Sequence, residues 1–169
     1  VAQLNEYFSR MVDVVFTHRG TIDKFVGDMV MALFGAPVAD PDHADHAVRA
    51  ALDMLSALSG LNAAWAEAGK PPLEIGIGVN SGDMVAGIIG SDTVMSYTVI
   101  GDAVNLGSRL ESLNKEYGTR LIISEATRAR LKGRYDMKPL GAVTVKGKSE
   151  PVNIFEVLAR ADGQAGARS

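Results

Sequence analysis

The chain contains no cysteine, which excludes disulfide staples, thiolate nucleophiles and cysteine-bound zinc. Aromatic residues are scarce at 6%, and 17 Lys and Arg stand against 20 Asp and Glu, a net charge of −3. A base-stacking sheet needs aromatic platforms, and a duplex binder needs a surplus of cations, so no nucleic-acid partner is expected. No apolar run approaches the roughly 20 residues that span a bilayer, and no membrane segment is expected. The opening Val1-Ala2-Gln3-Leu4 sets no basic segment ahead of an apolar one, so it reads as neither signal nor transit peptide. What is there is 169 residues, 47% hydrophobic, enough to build one domain around one core.

Leu4, Tyr7, Phe8, Met11, Val14 and Val15 follow the i, i+3, i+4, i+7 stripe of an amphipathic helix ending near Gly20. The runs Thr21–Val26 and Met29–Phe34 read as strands joined by a tight Gly27-Asp28 turn, and the near-continuous apolar character of the second suggests a central strand. Asp40-Pro41-Asp42 opens a helix whose stripe runs from Ala44 to about Trp65. Leu73, Ile75, Ile77 and Val79 alternate with small or polar residues, predicting a strand over 73–80. Its glycines, Gly76 and Gly78, leave one face bare for the close approach of a backbone, a helix or a ligand. Further strands are expected at 85–89, 97–100, 121–123, 142–145 and 154–158, with helices from about Ala103 to Tyr117 and after a Ser124 cap. The small, polar residues 161–169 read as a tail. The order of elements fits an α+β sandwich of the ferredoxin-like kind, mostly antiparallel, better than a doubly wound sheet.

Three groups of residues could carry chemistry. Lys24-Phe25-Val26-Gly27-Asp28 places a carboxylate on a tight turn, exposed and free to meet a divalent cation; judged alone, an ordinary hairpin turn explains it better. Asn105 and Arg109, four apart on a helix, share one polar face suited to developing phosphoryl charge, as well as to simple solvation. Lys146-Gly147-Lys148 offers point charges to a triphosphate, or blunts a sheet edge. His43 and His46 have a spacing able to hold metal, but the neighbouring Asp42 and Asp45 read more simply as a solvated first helical turn.

Together with Gly20–Asp28, Phe34-Gly35-Ala36-Pro37, Gly76–Gly82 and the block from Tyr97 to Leu110, these segments resemble the class III nucleotidyl cyclase catalytic domain, in family order across about residues 4–158. The resemblance implies a catalytic domain over 1–160 that converts ATP to 3′,5′-cyclic AMP and pyrophosphate with two Mg²⁺ or Mn²⁺ ions, between two copies arranged head to tail. Carried over by motif, Asp28 binds metal, Lys24 and Thr98 read adenine, Asn105 and Arg109 orient the ribose and stabilise the transition state, and Lys146 holds the terminal phosphates. Lys24 can donate to adenine N1 and Thr98 can accept from the N6 amine, whereas guanylate-type sites carry Glu and a small residue there. Thr98 is similar to a bacterial adenylate cyclase subgroup. ATP as substrate implies a cytoplasmic site.

The family's first strand, with its second metal aspartate, precedes the Leu4 helix, and this chain begins at Val1. The resemblance therefore implies that the 169-residue chain is nearly inactive by itself and that a longer parent is active. Alternative readings are a cyclase-like regulatory domain without turnover and a guanylate cyclase. A diguanylate-type cyclase is disfavoured because the turn reads Val26-Gly27-Asp28-Met29-Val30.

Overall fold

The apolar stripe from Leu4 to Val15 folds as its period dictates, into helix α1 (Ala2–Thr17), burying Tyr7, Met11 and Val15. The structure, a computed structural model, describes residues 2–90, 95–145 and 150–161. Two compact units divide the chain, Val1–Ile75 and Gly76–Ser169.

In the first unit α1 leads to an antiparallel hairpin, β1 (Gly20–Val26) and β2 (Met29–Phe34), followed by the long helix α2 (His43–Glu67). Val26 pairs with Met29, so Gly27-Asp28 is a two-residue turn; Gly27 has φ 61°, and only its first central position needs the conformation that glycine supplies. The ladder shifts register between Ile22 and Lys24, which makes Asp23 the extra residue of a bulge. Tyr7 and Met11 of α1 pack against Leu58, Leu61 and Trp65 of α2, and Trp65 Nε1 donates to Glu6 Oε1 at 2.8 Å.

The second unit contains β3 (Ile77–Val79), β4 (Val85–Gly90), β5 (Met95–Ile100), α3 (Asp102–Tyr117), β6 (Leu121–Ser124), α4 (Glu125–Arg130), β7 (Tyr135–Val143) and β8 (Val152–Arg160). One sheet has the order β3-β6-β8-β7, parallel between β3 and β6 and antiparallel elsewhere, while β4 and β5 form a separate hairpin. Leu106, Leu110 and Leu113 of α3 pack on Ile122 and Ile154 of the sheet.

Four expectations need correction. Among the described residues the ladders form three sheets, of two, four and two strands, rather than one. Among the described residues the apolar β2 pairs only with β1, so it is not flanked by two strands there as a central strand would be. The strand expected over 73–80 shrinks to Ile77–Val79, because the Leu73 N–H and C=O are both taken by the Asn62 side chain, each at 2.9 Å, instead of by a neighbouring strand. The strand expected over 142–145 begins seven residues earlier, at Tyr135; it tolerates Pro139 because β7 lies at the sheet edge and shifts register between Pro139 and Gly141.

Candidate active site

In the first unit, Lys24 and Asp28 stand on one hairpin, both exposed. Lys24 Nζ lies 3.6 Å from Asp23 Oδ2. The hairpin leans on α1 through Phe25, whose ring is 5.0 Å from that of Phe8. Tyr7, beside Phe8, is 6% exposed, and burial together with the negative charge of Asp28 pushes its phenol up to about 12. The Asp28 carboxylate therefore sits on an exposed two-residue turn whose nearby phenol stays neutral.

In the second unit, Asn105 and Arg109 project from one exposed face of α3, opposite the buried Leu106, Leu110 and Leu113. The helix lies on β3 without an intervening side chain. A Cβ on Gly78 would fall 2.4 Å from Glu111 N and 2.6 Å from Gly107 O, and one on Gly76 would fall 2.9 Å from Asn114 Cβ. The bare face read from these two glycines is thus occupied by the helix that carries the candidate residues. Asn114, 4% exposed, fastens the far end: its Nδ2 donates to Ile77 O at 3.1 Å and its Oδ1 accepts from Thr119 Oγ1 at 2.8 Å. Near the start of the helix, Asn80 Nδ2 donates to Ala103 O at 2.8 Å.

Thr98 lies on β5, paired with Gly87 of β4. Lys146 lies outside the described residues. Lys24 and Asp28 thus share the first unit and Asn105 and Arg109 the second. A cavity of about 550 Å³ between α1 and α2 is bordered by Arg10, Asp53 and Gly60, and one of about 340 Å³ in the second unit by Asn80, Asp83, Asp102 and Ser124; Lys24, Asp28, Asn105 and Arg109 line neither.

Of the two histidines, His46 has structural work instead. His46 Nδ1 meets Asp40 Oδ2 at 2.5 Å. Desolvation opposes ionisation of Asp40, yet the hydrogen bonds from His46 and the Asp42 N–H, with the charges of His46 and Arg19, outweigh it and hold this carboxyl below the usual carboxylate range.

The family model described as the adenylate and guanylate cyclase catalytic domain matches residues 1–157. The chain belongs to this family.

Adenylate cyclase 1 of Rhizobium meliloti (strain 1021) is 42% identical to it over 158 residues, covering 94% of this chain and 24% of that protein. The chain thus spans about a quarter of that relative's length. Among solved structures, the adenylyl cyclase CyaB from P. aeruginosa superposes with a TM-score of 0.86 at 37% identity, covering 95% of this chain and 83% of that one. A guanylyl cyclase crystal structure superposes with a TM-score of 0.85 at 39% identity, covering 96% and 81%. The fold is accordingly the mixed α+β arrangement of a nucleotide cyclase.

Cyclases of this class generally use divalent ions. Among the described residues no group of three or more His, Asp or Glu side chains could hold a metal ion. A lone exposed carboxylate on a two-residue turn fits a hard cation that brings its other ligands as phosphate oxygens and water, not one caged by protein alone. Two residues of the cyclase site region escaped the sequence reading as anchors, Asn80 and Asn114. Asn114 falls four residues after Leu110 on the apolar stripe of α3, and an amide in that position must satisfy its hydrogen bonds inside the fold; that was its readable signal.

Proposed function

We infer that this chain is an adenylate cyclase catalytic domain, residues 1–160 forming the domain and 161–169 a tail. The observation that carries the reading is the pairing of Asn105 and Arg109 on the exposed face of a helix fixed from behind, within a chain that matches the cyclase family over 1–157. In the reaction the ribose 3′-oxygen loses its proton and forms a bond to the α-phosphorus of ATP, and the bond to the bridging oxygen of the β-phosphate breaks, releasing pyrophosphate. Charge builds on the α-phosphoryl oxygens. Arg109 offers planar paired donors to that charge, and Asn105 orients the ribose. Lys24 and Thr98 select adenine, and Lys146 holds the terminal phosphates. Asp28 would hold Mg²⁺ or Mn²⁺, which when bound with a second ion lowers the cost of the attacking and leaving oxygen charges.

The complete site forms between two copies arranged head to tail, each lending its hairpin to the α3 of its mate. The finer fold is the ferredoxin-like sandwich, with the second metal aspartate on a strand ahead of α1. Thr98 supports grouping the protein with the bacterial adenylate cyclases that carry Thr at this position, and use of ATP supports a cytoplasmic site.

Likeness alone does not choose the base, because adenylyl and guanylyl cyclase structures superpose about equally well. Lys24 and Thr98 favour adenine, and guanylate cyclase is the second reading. Steady-state assays on the full-length parent with ATP and with GTP decide between them. The expected result is cyclic AMP formation preferred over cyclic GMP, and a weakened ATP preference in Lys24→Glu/Thr98→Cys. Preference for GTP moves the protein to the second reading; nucleotide binding without turnover makes it a regulatory domain.

A further inference from the structure

Helix α3 starts without a cap of its own. Its N-cap residue is Gly101, which offers no side chain, and among the described residues the first turn is held by the Gly101 carbonyl, which accepts from Val104 N at 3.1 Å and Asn105 N at 3.2 Å. An uncapped first turn is the part of a helix most prone to fray. Here that turn contains Asn105, whereas Arg109 sits one turn deeper, beside the fully buried Leu110.

A chain of hydrogen bonds reaches this turn from outside the helix. Thr127 N donates to Ser124 Oγ at 3.3 Å; Ser124 Oγ donates to Asn80 Oδ1 at 2.6 Å; Asn80 Nδ2 donates to Ala103 O at 2.8 Å. The polarity runs one way. The Ala103 carbonyl can only accept, so the Asn80 amide nitrogen faces it and the Asn80 oxygen faces Ser124, which donates to that oxygen while accepting from Thr127 N. Ser124 and Thr127 are fully buried, so the chain is anchored in the core at the β6–α4 junction and acts on the helix only at its end.

We propose that Asn80 is a positioning residue for the cyclase reaction: it latches the uncapped first turn of α3 and thereby holds Asn105, and not Arg109, in its working orientation. The proposal rests on the reading of α3 as the helix that stabilises the transition state. Asn80 acts through the Ala103 carbonyl, two residues before Asn105.

The test is a double-mutant cycle in the full-length parent with Mg-ATP. Asn80→Asp keeps the shape and the acceptor for Ser124 but sets a carboxylate oxygen against the Ala103 carbonyl. The expected result is a kcat about tenfold lower with KM within about twofold, a repeat of that loss in an Arg109→Ala background, and less than twofold further loss in an Asn105→Ala background. Thermal unfolding of each variant corrects for the folded fraction, and Asn80→Ala replaces Asn80→Asp if the latter does not fold. The same tenfold loss with Asn105 already removed, or a raised KM at unchanged kcat, overturns the latch. Full activity of Asn105→Ala overturns the reading of α3 beneath it, a separate outcome because it is seen without touching Asn80.

Discussion

The turn that carries Asp28 and the helix that carries Arg109 are built in opposite ways. The hairpin ends in an exposed two-residue turn with nothing within 4 Å of where a Gly27 Cβ would lie, and one aromatic contact, Phe8 with Phe25, steadies it against α1. Helix α3 rests backbone to backbone on β3 at Gly78 and is pinned near both ends by asparagines. A cation carried by a flexible triphosphate tolerates an adaptable carboxylate, whereas a guanidinium that must meet transient charge needs a fixed base. The difference in construction matches the difference in tolerance.

The sharpest way to break this comparison is at the helix. In an active parent, Arg109→Ala should lower kcat by roughly 10²–10³ with a smaller change in KM, the cost of removing a preorganised donor; a loss confined to KM in steady-state assays reassigns Arg109 to ground-state binding. Next in size is Gly78→Ala. Its added Cβ collides with helix backbone that cannot swing aside, so urea unfolding should show about 3 kcal/mol lost, against about 1 kcal/mol for Gly27→Ala, where only the positive φ is strained. Equal costs would remove the contrast between rigid helix and adaptable turn.

A pH series examines the hairpin side. The folded Tyr7 phenol is raised from 10.0 to about 12, so the neutral form stabilises the fold below pH 10 and that contribution is lost as pH climbs through 12. The urea midpoint should fall between pH 10 and 12, and should fall less in Tyr7→Phe. The smallest effect is expected from Ser124→Ala, which removes the cap accepting from Thr127 N: about 1 kcal/mol in the same denaturation assay.

Much of this was readable in the chain. The stripe of α1, the Gly27-Asp28 hairpin, the Ser124 cap and the bare face at Gly76 and Gly78 each follow from local spacing, and each is found where expected. The errors come from partners that spacing does not encode. Leu73 alternates like a strand residue, but a side-chain amide from α2 satisfies its backbone first. The strand expected over 142–145 extends back through Pro139 to Tyr135, which an edge position allows. At the candidate site, residue types and helical spacing picked out Asn105 and Arg109, but the carbonyl that Asn80 holds lies 23 residues along the chain, a link that only the tertiary fold makes.

The bare contact at Gly78 has a mechanical corollary. At Gly78 no side chain separates strand from helix, so a shift of α3 that keeps this contact carries β3 with it as a single lever. On the role proposed for Arg109, a stimulus that alters turnover through it would displace strand and helix in concert rather than tilt the helix alone.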